Sequence, residues 1–551
     1  SGRVNKISMN ARYGTFNGYD WDSETYDRSY KANDTTAINM HNYIYTKYQF
    51  LSTHYYSGGI DYKVDSVTTI SAAYNGFHNL GRNVVTNENT ISENAALSSE
   101  LSTATETKPL RINNNGNFSF LRKLDTLGSE LFFASQYGQF STNSISEITQ
   151  AFENNLLYNQ QQKRNRSKSD IKLITAQLDY TKHFNKKIQL DLGVKESFVK
   201  REGELNLENF SNGVWLTDAR YFSGFNFSEN IIAGYAEARC NSGKINLRAG
   251  LRAEHTDTYG FSRTLDSVVA DRNYFNVFPS AFVGYNFTKE ITMGLNYSSR
   301  IHRPSYQDMD PFINYIDSLS SIRGNPFLKP EYTTSMEANL VYNKEVTLLT
   351  FGYTRTNGTI KVVVDKLTDG SSGFAGINKN LNYSEMFSIG TTLPYENKWL
   401  TTGTYIGYNW NTFNYNSGGE VVTSTKPMLY IYMYSEIRFK KSFTFEMEGE
   451  YIGSGNDGIF NINPNYYINA GIKKKLFKDN LTLRFVANDI FATYQEWGTS
   501  NVPGFEIKFK SLRNMSNYVV MLNYRFGKMT NQEQRSKAVN QDEFNRIKMG
   551  K

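Results

Sequence analysis

Strict alternation of apolar and polar residues is the dominant signal along this chain. Ile291, Met293, Leu295 and Tyr297 alternate with Thr292, Gly294, Asn296 and Ser298, the signature of a strand with one apolar and one polar face. A long segment carrying Arg300, Arg303-Pro304, Asp310-Pro311 and Gly324-Asn325-Pro326 follows, and a second alternating run returns with Met336, Ala338, Leu340 and Tyr342 on its apolar side. So long a tip between paired strands is unusual in a compact domain. The same pattern predicts strand pairs near residues 54–63 and 66–77, 108–121 and 125–138, 172–184 and 187–199, 225–239 and 244–256, and 273–287 and 289–301. It continues at 331–343 and 345–357, 382–395 and 398–413, 427–439 and 442–452, and 465–476 and 481–490, with single strands at 3–15 and 515–526.

The connections alternate in kind. Polar stretches at about 16–50, 78–107, 139–171 and 302–330 read as long loops, whereas Asn185-Lys186-Lys187, Asn241-Ser242-Gly243 and Lys478-Asp479-Asn480 read as tight turns. Short turns on one side and long loops on the other are the asymmetry of outer-membrane barrels, and roughly twenty strands is an acceptable even number for one. The predicted fold class is all-β, a large transmembrane antiparallel up-and-down barrel of about 20–22 strands. Ile245, Leu247, Ala249, Leu251 and Ala253 form one face of a strand and Asn246, Arg248, Gly250, Arg252 and Glu254 the other; Leu190 and Leu192 likewise oppose Gln189, Asp191 and Lys195. The leucines are expected outward. Charges this frequent on the other face exclude a dry core, because burying unpaired ions is very costly, so the interior is expected to be wet or filled by polar protein.

Composition agrees with strands that cross a membrane. Mean hydropathy is only −0.54, and no run approaches the ~20 apolar residues of a membrane helix, yet a barrel shows lipid only every second residue. The 39 Tyr and 37 Phe suit the two membrane interfaces. A lone Cys240 allows no intrachain disulfide, the six His are scattered without ligand spacing, and the formal charge of +7 is spread along the chain with no nucleic-acid module. No cofactor, metal or nucleic-acid partner is therefore expected. Phosphate-loop, nucleophile-elbow and zinc motifs are missing from the sequence, which speaks against an enzyme.

Tyr297-Ser298-Ser299-Arg300-Ile301-His302-Arg303-Pro304 followed by Gly324-Asn325-Pro326-Phe327-Leu328-Lys329-Pro330-Glu331 resembles the mid-barrel motif of outer-membrane β-barrel proteins related to TonB-dependent receptors. Gly59-Ile60-Asp61-Tyr62, Ala176-Gln177-Leu178-Asp179-Tyr180, Gly250-Leu251-Arg252-Ala253-Glu254 and Phe278-Pro279-Ser280 agree in order with it. The resemblance implies a Gram-negative outer-membrane receptor that imports a scarce ligand too large for porins, through a barrel filled by an N-terminal plug and driven by the TonB machinery. Neither plug nor TonB-contact segment is visible in this sequence, and Ser1 opens directly into strand-like residues, as in a processed or truncated chain. Two other roles stay open: a structural or assembly barrel that partners surface lipoproteins, and a plugless diffusion channel.

Residues 1–527 are thus expected to form the barrel, in contact with outer-membrane lipid, and 528–551 a polar periplasmic tail, solvated or partner-binding. Candidate contacts to a ligand or plug are the inward or loop residues Arg300, Arg303, Arg248, Arg252, Glu254, Asn325, Glu446 and Glu448. Guanidinium groups at a mouth can grip carboxylates, while Arg303-Pro304 and Asn325-Pro326 can equally brace the loop. The row of Glu446, Glu448 and Glu450 on one strand face reads as a plug-docking or selectivity surface, because an acid–base pair needs environments that push two pKa values apart.

Overall fold

Each alternating run becomes a strand of one antiparallel sheet that bends round to meet itself. In this computed structural model the sheet contains 26 strand segments, and a second sheet of four lies within. The structure describes residues 2–4, 6–31, 35–154, 157–218, 222–315, 320–343, 346–366, 374–417, 419–439, 442–502, 505–526 and 542–547. Neighbours in sequence are neighbours in the wall, from the ladder of Ile7–Lys31 with Ala37–Lys63 to that of Asn465–Leu476 with Leu481–Asn488. The final two wall strands each run as two collinear segments, Leu481–Asn488 with Gln495–Val502 and Phe505–Arg513 with Asn517–Tyr524. The wall therefore makes roughly twenty crossings. It closes where Asp22–Tyr30 pairs with Phe505–Arg513, while Gly2–Val4 lies against Ile7–Met9 lower on the same seam.

The period-two faces separate as the sequence predicts. Leu247, Leu251 and Leu192 are exposed on the outer face, and Leu251 at 54% contrasts with inward Glu254 at 5%. A one-residue slip would exchange the two sets, which is why the register is so firmly specified.

The stretches 16–50, 78–107 and 139–171 are not loops. Ile7–Lys31, Ala37–Lys63, Thr68–Glu93, Ala96–Lys123, Glu130–Asn154 and Leu157–His183 run for 25 to 28 residues each, and Asn94 and Ala95 alone, both at positive φ, turn one hairpin. A tilted membrane strand needs only about 9–11 residues. The surplus stands as a tall ribbon beyond the lipid, where the outer face need not be apolar and buried inward residues such as Asn42, Asn87 and Asn89 are polar and hydrogen-bonded to one another, although the backbone ladder continues.

Residues 303–330 do form a long loop, but it folds into the barrel mouth. Ile313–Tyr315 and Ser320–Arg323 pair antiparallel, Ser320–Arg323 runs parallel to Phe374–Asn380, and Ile360–Lys366 completes this inner sheet. Tyr306, Met309, Phe312 and Leu328 are buried against inward Ile171, Leu173, Val199, Phe225 and Phe227 of the wall. One side of the lumen is thus apolar, where the sequence led to the expectation of an interior wet or filled by polar protein. Of residues 528–551 the structure describes Asp542–Ile547, and these lie inside the barrel, where Phe544 and Ile547 pack on the same cluster.

Cysteines introduced at Asn94 and at Lys186, in a Cys240→Ser background, test which rim faces out. A membrane-impermeant maleimide should label Asn94→Cys on intact cells and Lys186→Cys only after the outer membrane is opened; equal labelling would contradict the orientation.

Candidate lumen site

The mouth loop is held by arginines that reach it from the wall. Arg201, next inward after Val199 on Ile188–Ser211, is fully buried and forms a two-point ion pair with Asp310; it also donates to the Tyr306 carbonyl and the Ser169 hydroxyl, both at 3.2 Å. Arg272 donates to the Leu328 carbonyl and, at 3.3 Å, to the Pro326 carbonyl. In the other direction Arg303, at the start of the loop, reaches back to the wall, with its guanidinium 2.7 Å from both Glu254 Oε2 and Thr256 Oγ1 and 3.2 Å from the Tyr274 hydroxyl. Arg252 donates to the other oxygen of Glu254 at 2.6 Å, so one buried carboxylate serves two guanidinium groups. Burial lowers the Arg303 pKa, but Tyr274 and the Glu254 and Glu229 carboxylates outweigh it and hold the group above its ordinary value.

The Gly324-to-Glu331 motif has an equally concrete role. Gly324 passes so close to the Asp310 carbonyl that a Cβ there has no room. Asn325 donates to the Asn378 carbonyl at 3.0 Å, and Asn380 exchanges two hydrogen bonds of 2.8 Å with the Lys329 backbone. Glu331 accepts from the Ile360 amide and lies 2.8 Å from His302. The motif staples the loop to the inner sheet.

The candidates therefore fall into separate groups. Arg252, Glu254 and Arg303 come together as a structural triad, and Asn325 is a brace. Arg248 and Arg300 join neither: Arg248 lies over the Phe282 ring at 5.3 Å, and among the described residues no carboxylate is within ion-pair distance of exposed Arg300. On another part of the wall Glu446 is met by Lys473 at 2.5 Å and Arg484 at 2.6 Å, while Glu448 and Glu450 accept from the Tyr432, Tyr430 and Tyr467 hydroxyls at 3.1–3.4 Å. Among the described residues, no group of three or more His, Cys, Asp or Glu side chains is placed to hold a metal ion. Arg201, Glu229 and Tyr306 were not singled out from the sequence. Strand parity puts the first two inward, but their partners lie far away in the chain, where no local pattern points.

Residues 122–526 match the outer membrane protein beta-barrel family. The chain belongs to this family. Its place is the bacterial outer membrane, and the rim of short turns is accordingly the periplasmic one. No curated protein matches the sequence. Among solved structures, the copper transporter OprC superposes with a TM-score of 0.54 at 9% identity, over 90% of this chain and 80% of that one. The siderophore receptor PiuA from Acinetobacter baumannii gives 0.52 at 9% identity, over 90% and 82% of the two chains. A double mutant of the Serratia marcescens hemophore receptor HasR, in complex with its hemophore HasA and heme, gives 0.52 at 10% identity, over 90% and 80%. At these identities the likeness is one of fold: this outer-membrane barrel shares the architecture of those three proteins.

Glu254→Gln removes the charge that Arg252 and Arg303 share. Breaking a buried pair from one side costs about 3–5 kcal/mol, so trypsin should cut after Arg323 much faster than in the unaltered protein. Arg300→Ala should leave the cleavage rate unchanged, and equal rates for both variants would remove the triad from the account of the loop.

Proposed function

We propose that this barrel is the receptor-transporter of an active import system, taking up a scarce ligand with an N-terminal plug and the energised inner-membrane machinery as partners. The observation that supports this reading most is the divided lumen. One side is sealed by the mouth loop and inner sheet, while the wall around Glu446, Glu448 and Glu450 stays polar and partly exposed, fit to face water or a polar plug. Metal complexes are the first ligands to try, since the fold is shared with proteins named as a siderophore receptor, a hemophore receptor and a copper transporter. Arg248 and Arg300 are proposed as ligand or plug contacts, because among the described residues no carboxylate pairs with either guanidinium group.

A second reading is favoured by the tall ribbon. Wall strands from Ile7 to Ser211 stand far beyond the lipid, and they and the short strand Val214–Thr217 paired to the last of them carry exposed apolar residues, among them Leu97, Tyr158, Val214 and Leu216. Such a wall suits a docked envelope protein such as a surface lipoprotein.

Uptake of labelled ferric siderophores and of copper, compared in deletion and complemented cells, separates the two. Import predicts that uptake falls at least ~tenfold on deletion and that a protonophore removes the difference. Unchanged uptake, with a fixed set of copurifying envelope proteins, would transfer the preference to the docking role.

A further inference from the structure

The C-terminal segment Asp542–Ile547 is held in the lumen by contacts of several different kinds. The Glu543 carboxylate is 2.7 Å from Lys195 Nζ, with the two side chains 6% and 3% exposed. Arg546 forms a two-point ion pair with Glu229, donates from Nε to the Pro304 carbonyl at 3.1 Å, and lies over the Tyr306 ring at 4.2 Å. Between them Phe544 meets Phe140 edge-on, with ring centres 5.8 Å apart, and fills the space above Gly138, where an added Cβ would lie 2.6 Å from its ring. Ile547 enters the apolar cluster of Phe140, Ile171, Leu173 and Tyr306. A single 3-10 turn at Phe544–Arg546 arranges these side chains, and the tight turn stacks positions three apart on one side.

The wall is complementary to that turn. In the ladder Lys195 stands opposite Ala233, and Val199 opposite Glu229, so the two charges are on adjacent strands four residues apart in height. Each meets the opposite charge of the segment, and an apolar floor lies between them. Burying two such ions is unfavourable unless each is paired and hydrogen-bonded, so the wall is built for an acidic–aromatic–basic–apolar peptide. Two of the segment's partners, Pro304 and Tyr306, belong to the mouth loop, so the segment ties that loop to the wall from the periplasmic side.

We propose that this part of the lumen is a peptide-binding site whose resident occupant is the chain's own Asp542–Ile547, and that the docked segment latches residues 303–330 in the mouth. Releasing the segment frees the loop. The latch does not depend on import, because a docking barrel would carry it equally.

The test uses the full chain, purified in detergent, with trypsin and intact mass as the readout. Cleavage after Arg546 reports docking, and cleavage after Arg323 reports the loop. Glu543→Lys and Phe544→Asp alter the segment alone and leave the barrel intact; both should speed cleavage after Arg546 at least ~tenfold, since a protease samples the open population. Cleavage in the mouth loop should rise with it. Adding Lys195→Glu to Glu543→Lys should restore protection at both places. Cleavage after Arg546 as fast in the unaltered protein as in Phe544→Asp would overturn docking, and a loop that stays protected after release would overturn the latch.

Discussion

In hydrocarbon no water can satisfy a backbone N–H or C=O, so a strand-built membrane protein must pair every strand with a neighbour. The rest of this structure depends on that constraint. It forces the wall round until Phe505–Arg513 meets Asp22–Tyr30, and it gives each strand an outer face matched to lipid. The inner face is then free to be polar, charged or apolar as its contents require. What fills the lumen can be set by a handful of inward residues without disturbing the fold.

The fold was legible because the constraint writes itself into the sequence with period two. Leu247 and Leu251 against Arg248 and Arg252 decide orientation without ambiguity, and turns such as Asn241-Ser242-Gly243 mark one rim. Above the lipid that signal fades. Asn83, Thr86, Asn87 and Glu88 lie within the strand Thr68–Glu93, but beyond the lipid no outer face has to be apolar and buried Asn87 is satisfied by a hydrogen bond from Asn42, so the sequence reads as a loop where the backbone is a strand.

The lumen site was legible only in part, for a related reason. Arg303 and Glu254 could be picked out because they stand in recognisable motifs near a strand end, and their pairing across 49 residues follows once the strands are aligned. Arg201 meets Asp310 across 109 residues, Arg546 meets Glu229 across 317, and Lys195 meets Glu543 across 348. Parity says that Lys195, Arg201 and Glu229 point inward, but it does not say which distant segment neutralises them. A polar, charged tail with no strand pattern reads as solvated until the cavity that accepts its charges is known.

The two kinds of charge in the lumen carry different weight. Arg201 with Asp310, Arg303 with Glu254 and Arg546 with Glu229 are buried, so loss of either partner strands an ion in an apolar place and releases whatever segment it held. Lys473 and Arg484 around Glu446 are partly exposed, where solvent screens the attraction and a pair adds little to stability. Stability therefore does not account for the exposed row, whereas it does account for the buried pairs that fix loop and tail. The surface around Glu446, Glu448 and Glu450, with tyrosine hydroxyls donating along it, can exchange hydrogen bonds with water or a polar partner at small cost. Physical economy thus assigns the buried pairs to holding loop and tail in place, and leaves the partly exposed row in contact with the lumen's water.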